Sequence, residues 1–536
     1  MEQEYQPSDE AYVQAELEEI AFIYETLFPG RAMTVNLSWN RESAAKGRPE
    51  VTPENKPLSN DNAGDQVLGQ LRMGVAPEES TDELLHVNVS IPRHPMPGEL
   101  EEDELSRPMR GRVTKTLFKL SPVLFEQLKH MVESWGESRR TRRHRFRQLP
   151  YAYTPVYTLP DPRDGSDKAP AILIGFHFLE VGGGEKLAFD TVHWALEAGL
   201  RVIVISDRPT QQRLAHKLPD DPRVRFIRTD RYLERPLHAA FLRKLIAREN
   251  IRAVHNHHCG ILYESMPMLR AYYPDLMAID STHIIEYHDG GYPRVAGIWS
   301  DYHDLHHVIS EDLGRFLEEE FGVGGKTRLG RLLDEGARDT APLPIRMQAK
   351  QKSYRVAFVG RMMHQKRPIL MMKILQKLAR WGRLRGIDFQ FDIVGEGPYR
   401  EAVEVLVQRY GLTGRVTLHP AQTDVPALLR ECDIMLLPSA NEGLALVCYE
   451  AIEQGCIPIT TDVGAQREIE PAGLMVSRAP LRTVSGMVKA VKRLVSSQAF
   501  IDQMAAELGE KYQQLSSETT AKELLMPVYR DIASGK

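Results

Sequence analysis

Residues 433–461, DIMLLPSANEGLALVCYEAIEQGCIPITT, contain the pattern that decides the fold. Two short apolar runs, 433–438 and 457–461, are typical of buried strands in a parallel sheet. The stretch between them has a helical pattern, and we expect the helix to start near Leu444 or Ala445. A strand, a helix and a second strand in this order predict one unit of a doubly wound parallel sheet.

The same alternation of strand and helix patterns occurs in two separate series. The first series has the apolar runs AILIGF (171–176), RVIVIS (201–206), RVRFIR, RAVH, LMAID and HHVIS; the second adds RVAFVG (355–360), FQFDIVG (389–395), RVTLH (415–419) and GLMV (473–476). We therefore predict an α/β fold with two doubly wound Rossmann-like domains, residues 169–345 and 346–512, that face each other across a cleft. Residues 513–536 are expected to form a C-terminal helix that packs back on one of them.

Residues 1–150 differ from the rest of the chain and are predicted to be an N-terminal extension. A helical pattern at 9–28 ends at Pro29 and Gly30, a plausible helix stop. The chain from about 38 to 108 is polar, and apart from one strand-like patch, LLHVNVSI, we expect much of it to be loosely ordered. A second helical pattern at 121–137 runs into an arginine-rich segment.

Composition excludes several classes of protein. Of 536 residues, 42% are apolar and 26% charged, and the net charge of −5 gives no reason to expect nucleic acid binding. There is no apolar run of the ~18 residues needed to span a bilayer. The first residues, MEQEYQPSDE, are unlike a secretory signal peptide, and the four cysteines form no C-x-x-C pair. We expect a cytoplasmic protein with reduced thiols.

The positions after the strands supply the candidate site residues, because ligands of open α/β sheets bind beyond the carboxyl ends of the strands. Glu442 falls in the loop after the run 433–438, and Glu450 falls on the following helix. The backbone N–H groups of Gly443, Leu444 and Ala445 would point at an anion or a hydroxyl there. From spacing alone, a helix-start acid and a half-exposed salt bridge explain the two glutamates as well as a ligand-binding role does.

Further candidates follow other strands. Arg361 and Lys366 come after the run 355–360 and suit a pyrophosphate, although solvated surface charges remain an alternative. The turn Gly395-Glu396-Gly397-Pro398 and the loop with Gly183 and Gly184 are as well explained by turn geometry as by a ligand. His283 follows an apolar strand and is able to hydrogen-bond a sugar hydroxyl.

We predict no metal site. HNHHCG (255–260) has no carboxylate at ligand spacing and is better interpreted as loop packing, and the chain has no D-x-D motif.

Four motifs together resemble the retaining glycosyltransferases of family four, which have the GT-B architecture. The resemblance covers residues 170–510 and is carried by VGGGEKLAFDTVHWALEAGLRVIVIS, VGRMMHQKRP, IVGEGP and PSANEGLALVCYEAIEQGCIPI. The last segment has the E-x₇-E spacing of the family. The chain departs from it at APLPIRM (341–347) and at TLHPAQTD (417–424), which leaves the nucleotide undecided, and residues 1–150 have no counterpart in the family core.

The resemblance implies a role for each candidate. Arg361 and Lys366 would hold and stabilise the donor diphosphate, and His283 would face the sugar from the other domain. Glu442 would hold the donor sugar hydroxyls, which makes these four residues the catalytic set. The remaining predicted donor-binding residues are Glu450 (at the ribose), Gly183, Gly184, Gly395, Gly397, Gly443, Leu444, Ala445 and Leu446.

The resemblance also implies the activity. It indicates transfer of a hexosyl unit, with retention, from a UDP- or GDP-linked sugar to a glycan, lipid-linked or protein acceptor, in bacterial surface polysaccharide or glycoconjugate assembly. No permanently bound cofactor and no metal are expected. The alternative is a non-catalytic GT-B protein that acts as the partner or targeting subunit of an active enzyme. The cluster Arg139–Arg147 is predicted to dock on an anionic membrane or an acidic acceptor; the alternative is a solvated linker or an intramolecular partner of the acidic segment 99–104.

Overall fold

The computed structural model describes residues 10–40, 50–54, 66–73, 84–92, 117, 120–144, 167–180, 185–287, 290–333 and 341–535, and for 136–144 only the backbone. Gly183, Gly184 and residues 145–147 of the arginine cluster therefore lie outside the described residues. Within these ranges, no helix is both long and apolar enough to cross a membrane.

A seven-stranded parallel sheet forms the first half of the fold, in the order β11-β10-β9-β8-β5-β6-β7. Its strands are β5 (Ala171–Phe176), β6 (Arg201–Ser206), β7 (Val224–Ile227), β8 (Ile251–His257), β9 (Met277–Thr282), β10 (Leu305–Val308) and β11 (Thr327–Leu329). The helices between them are α3 (Glu185–Glu197), α4 (Thr229–Tyr232), α5 (His238–Arg248), α6 (Gly260–Tyr272), α7 (Gly291–Ile298) and α8 (Glu311–Phe321). Strand β5 is buried along its whole length, as a continuous apolar run in a parallel sheet requires.

A six-stranded parallel sheet forms the second half, in the order β14-β13-β12-β15-β16-β17. Its strands are β12 (Ser353–Val359), β13 (Asp388–Val394), β14 (Val416–His419), β15 (Ile434–Leu437), β16 (Ile457–Thr461) and β17 (Met475–Val476). The helices are α9 (Pro368–Arg385), α10 (Arg400–Arg409), α11 (Val425–Glu431), α12 (Leu446–Glu453), α13 (Gln466–Ile469), α14 (Pro480–Ser496) and α15 (Gln498–Ser517). Two parallel α/β sheets confirm the predicted fold class.

The last helix, α16 (Ala521–Ser534), returns to the first half. Leu525, Tyr529 and Ile532 are buried in the core of the first sheet, against residues of β5 and β6. Arg331, beside β11, ties the two halves together at the point where the chain returns. Its buried guanidinium binds Glu468 and Glu518, the latter with Nε 2.6 Å from Oε2.

The N-terminal region contains a four-stranded sheet, in the order β2-β4-β1-β3. It consists of β1 (Met33–Asn40), β2 (Glu50–Glu54), β3 (Gln66–Met73) and β4 (Leu85–Pro92), preceded by α1 (Glu10–Leu27). The expectation of loose order is wrong for β2 and β3, whereas the strand-like patch LLHVNVSI coincides with β4. Alternate residues such as Val35, Leu37, Val87 and Val89 are buried in one core with α1 and the first half. The residues between them are mostly polar, so the sequence of these strands has no continuous apolar run.

A second N-terminal helix, α2 (Pro122–His144), packs on the opposite half of the fold. It contacts α9 and α14, and Val123 is buried in the core of the second half. The N-terminal region therefore contacts both halves, through different elements.

Candidate functional site

A cavity of about 750 Å³ lies between the carboxyl ends of the two parallel sheets. Three sources line it. The first half contributes His177, Phe178, Glu185, His258, His283, Ile284, Glu286, Tyr287, Tyr292, Ile309 and Leu332; the second half contributes 359–361, 364–367, 440–447 and Arg478; α2 contributes His130, Glu133 and Ser134. The structure thus brings the four predicted catalytic residues, Glu442, His283, Arg361 and Lys366, to one cavity.

Lys366 and Glu442 form an ion pair in the wall of this cavity, with Nζ 2.6 Å from Oε1. Lys366 lies in the turn after β12, and Glu442 lies in the loop after β15. The two strands are neighbours in the sheet, so their carboxyl ends bring the side chains together. Both side chains are largely buried, and each holds the other in place beside the cavity.

The loop after β15 differs slightly from the sequence prediction. Helix α12 begins at Leu446, with Ala445 as an extended N-cap residue, so the predicted start at Leu444 or Ala445 was too early. Leu444 and Ala445 are buried, apolar positions at the end of the loop. The N–H groups at the N-terminus of the helix are those of Leu446 and Val447, and both residues line the cavity. An anion beside Lys366 would therefore also meet the positive end of this helix.

Gly443 packs directly against the backbone of the first half. A Cβ atom at this position would lie only 2.0 Å from the carbonyl oxygen of His283, so no residue with a side chain fits there. One residue earlier, Asn441 donates from Nδ2 to the carbonyl oxygen of Ile285 at 3.0 Å. These two contacts fix the loop that carries Glu442 against the first half.

His283 is buried at the wall opposite Lys366. Burial lowers the pKa of His283 well below its ordinary value, and the neighbouring His258 and His307 add to this effect, so the ring is neutral at pH 7. Its Nδ1 is buried and makes no hydrogen bond to any described residue. A neutral imidazole in this place is suited to hydrogen-bond a hydroxyl without adding charge.

Of the predicted donor-binding residues, three do not line the cavity and two, Gly183 and Gly184, lie outside the described residues. Glu450 lies on α12 beyond the cavity wall and is partly exposed. Gly395 and Gly397 have φ angles of 138° and 143°, and a Cβ atom would lie 2.1 Å from the Gly360 oxygen and 2.7 Å from the Met362 oxygen, respectively. Close packing of two loops explains both glycines. Donor contacts of Glu450, Gly395, Gly397, Gly183 and Gly184 stay predictions.

The first half lines the cavity with a set of aromatic rings that sequence reasoning missed. Tyr292 Oη lies 2.8 Å from His177 Nδ1, and the ring of His258 stacks on Tyr292 at 4.6 Å between centroids. His177 is also 3.4 Å from Asp207. A signal was present, because His177 directly follows the apolar run that forms β5.

Helix α2 also contributes to the cavity, which the sequence did not indicate. Glu133 Oε1 lies 3.4 Å from His364 Nε2, and Glu126 Oε2 lies 3.7 Å from His364 Nδ1. Burial is the largest influence on Glu133 and would raise its pKa, but the hydrogen bond and charge of His364 bring that pKa below its ordinary value. The turn that carries Lys366 is thus held from outside the second half by α2.

The histidines of HNHHCG take part in internal hydrogen bonds. His255 Nδ1 lies 2.6 Å from Tyr529 Oη, and its Nε2 lies 2.7 Å from Ser281 Oγ. His257 Nε2 lies 3.1 Å from Thr191 Oγ1. Among the described residues, no group of three histidine, cysteine or acidic side chains is arranged to hold a metal ion.

Comparison with known proteins finds a family match in the second half. The family described as glycosyl transferases group 1 matches residues 344–514, about a third of the chain. This segment is similar to that family. It contains Arg361, Lys366, Glu442 and Glu450.

Curated relatives match parts of the chain. The chain is 29% identical over 180 residues to the alpha-D-kanosaminyltransferase of Streptomyces kanamyceticus, a match that covers 33% of this chain and 45% of that protein. It is 35% identical over 102 residues to the 2-deoxystreptamine glucosyltransferase of the same organism, covering 19% and 25%, respectively. The matches thus span less than half the length of these relatives. 

The fold extends beyond the matched segment. The solved structure of a glycosyltransferase from Rickettsia africae superposes with a TM-score of 0.50 at 15% identity and covers 69% of this chain and all of that chain. This likeness supports the GT-B architecture of two facing sheets.

Proposed function

We propose that the chain is a glycosyltransferase that transfers a hexosyl unit from a nucleotide sugar to an acceptor hydroxyl, with retention of the anomeric configuration. The observation that carries the proposal is the shared cavity. Arg361 and the Lys366–Glu442 ion pair lie on one wall, and a buried, neutral His283 lies on the other. The segment that matches the group 1 family supplies the first wall, and the names of the relatives, a kanosaminyltransferase and a glucosyltransferase, support a hexosyl donor.

The chemistry follows from where the charges lie. Departure of a nucleoside diphosphate develops negative charge, and Arg361, Lys366 and the N-terminus of α12 are placed to stabilise that charge. Glu442, held by Lys366, accepts hydrogen bonds from donor sugar hydroxyls in this proposal. The acceptor hydroxyl passes its proton to the departing phosphate on the same face of the sugar, which gives retention without two opposed carboxylates. Donor binding by Glu450 and by the glycines at 183, 184, 395 and 397 is part of the proposal.

The proposed co-substrate is a UDP- or GDP-linked hexose, with no metal and no permanently bound cofactor. The acceptor is a glycan, a lipid-linked sugar or a protein, within bacterial surface polysaccharide or glycoconjugate assembly. We place the protein in the cytoplasm, with peripheral contact to an anionic membrane through Arg139–Arg147.

A panel of nucleotide sugars tests this function. Purified protein is incubated with each donor, release of nucleoside diphosphate is followed, and the anomeric configuration of any product is read from its proton coupling constants. Lys366→Met and Glu442→Gln should each lower the release rate by about 100-fold or more. Lys377→Met and Glu404→Gln are matched controls, since both residues are exposed on α9 and α10, and should leave the rate unchanged.

Two results would contradict the proposal. If calorimetry detects no binding of any nucleotide sugar, the non-catalytic partner protein becomes the better explanation. A product with inverted configuration would refute the same-face mechanism and leave glycosyl transfer itself standing.

A further inference from the structure

An apolar stripe covers the outward face of α2. Leu124, Leu128, Met131, Val132 and Trp135, together with Leu120 just before the helix, are between 42% and 73% exposed. At 100° per residue, the five positions within the helix fall within an arc of about 100°. Along the axis they extend for roughly 17 Å. Large apolar side chains gathered on one exposed helix face indicate an interaction surface.

The opposite face of α2 holds the helix in this orientation. Val123 is buried in the core of the second half, and Glu126 is buried beside His364. Gln127 Oε1 accepts a hydrogen bond from Leu481 N at 3.1 Å. Leu481 is itself 53% exposed, so the apolar surface continues from α2 onto the second half.

The sequence that follows the stripe determines which partner fits. Residues 139–147, RRTRRHRFR, contain six arginines and no acidic residue, in a chain whose net charge is −5. An amphipathic helix with a continuous apolar stripe and a basic flank is the pattern of helices that lie in the interface of an anionic bilayer. An acidic protein partner would match the arginines but would leave the apolar stripe unexplained.

We propose that the outward face of α2, from Leu120 to Trp135, docks on an anionic lipid bilayer. The proposal rests on the proposed function in one respect, because the membrane would supply a lipid-linked acceptor. The inward face of the same helix lines the donor cavity with His130, Glu133 and Ser134. The cavity therefore lies about one helix diameter, roughly 10 Å, from the docked surface. A sugar carried on a lipid headgroup would reach it without leaving the bilayer.

Vesicle binding tests the proposal with the full chain. The protein is sedimented with vesicles of phosphatidylcholine alone and with vesicles that also contain phosphatidylglycerol. We expect binding to the anionic vesicles, weakened about tenfold or more in the triple variant L128Q/M131Q/V132Q. Replacing the six arginines by glutamine should weaken it likewise, and high salt should reduce it. The control V67Q/L384Q changes equally exposed apolar residues elsewhere and should bind as the parent does.

A second measurement distinguishes a bilayer from a protein partner. Trp135 should be quenched by phospholipids brominated in their acyl chains, and the quenching should disappear in Trp135→Phe. Equal sedimentation of the parent and the triple variant, or no quenching of Trp135, would overturn the proposal. So would a concentration-dependent dimer in analytical ultracentrifugation that the triple variant abolishes, because a second copy would then occupy the stripe.

The outcome is separable from that of the proposed function. Donor affinity and nucleoside diphosphate release are measured without vesicles, and the triple variant should keep both. If the parent protein releases nucleoside diphosphate normally but does not bind anionic vesicles, docking alone is refuted. If it binds vesicles but releases no nucleoside diphosphate from any donor, transfer alone is refuted.

Discussion

Gly443→Ala tests whether the contact between the two halves of the fold sets the geometry of the candidate site. The added Cβ would lie 2.0 Å from the carbonyl oxygen of His283, whereas an ordinary van der Waals contact begins at 3.4 Å. The carbonyl oxygen belongs to the backbone and the position of a Cβ is fixed by the backbone, so no side-chain rotation relieves the clash. The halves must separate locally by about the difference, 1.4 Å.

That separation should reduce activity far more than stability. Displacement of reacting groups by about 1 Å costs on the order of 100-fold in rate, which corresponds to about 2.7 kcal/mol in the barrier. The clash lies between the halves and outside either core, so opening the cavity relieves it without unfolding a sheet. We expect the unfolding temperature to stay within about 2 °C of the parent value.

The assay is the rate of nucleoside diphosphate release at saturating donor, with donor affinity measured by calorimetry. Gly509→Ala is the matched control, because Gly509 lies within α15 and a Cβ there meets no heavy atom within 4 Å. Its rate should equal that of the parent, and the helix should gain up to about 1 kcal/mol. If Gly443→Ala keeps its rate within about twofold of the parent, the contact does not set the site geometry and the reasoning is refuted.

Three further predictions concern single side chains. Lys366→Met should lower the free energy of unfolding in urea by about 2–4 kcal/mol, because it leaves the buried Glu442 carboxylate unpaired. The double variant that also carries Glu442→Gln should recover part of this free energy. Additive effects of the two substitutions would show that the pair is not coupled. Glu133→Gln should raise the KM for the donor by up to about fivefold with an unchanged melting temperature, and an unaltered KM would mean that α2 does not position the turn at His364. Burial raises the pKa of Glu470 to about 8 in the native state, whereas its pKa in the unfolded state is near 4.5. Between these two pH values the native carboxyl is protonated and the unfolded one is not, so the free energy of unfolding falls as pH rises through this range. Glu470→Gln should therefore melt at a higher temperature than the parent at pH 9 and at the same temperature at pH 5, and a difference that does not depend on pH would contradict the assignment.

The sequence predicts strands well where the chain is uniformly apolar. The predicted bounds 171–176, 201–206 and 457–461 agree with β5, β6 and β16. Each of these strands is buried on both faces, so its whole length is apolar and its ends are marked by polar or glycine residues. Of the N-terminal strands, β4 was indicated by the patch LLHVNVSI, whereas β2 and β3 were missed because polar residues alternate with the apolar ones and make the segment resemble a loop in sequence.

Contacts between elements that are distant along the chain could not be predicted from the sequence. Glu442 and Lys366 were both identified because each follows a strand, but their ion pair depends on β12 and β15 being neighbours, although two strands separate them along the chain. The approach of Gly443 to His283 and of Glu133 to His364 depends on how whole layers pack. A helical pattern such as that of α2 indicates which face of the helix is apolar, but it does not indicate which half of the fold the helix packs against.

The charges that line the cavity are divided between its two walls. In the described residues, the lysine and arginine side chains at the cavity are Arg361, Lys366, Arg367 and Arg478, all from the second half, which also contributes the carboxylate of Glu442; the first half contributes Glu185 and Glu286, and α2 contributes Glu133. Burial keeps His258 and His283 neutral at pH 7. In the proposed function, a diphosphate would therefore be attracted to the wall with the four cations, which would set the direction of a nucleotide sugar before any specific contact forms. The sugar would then face His283, and an uncharged hydroxyl is the acceptor that this wall would receive at the least electrostatic cost.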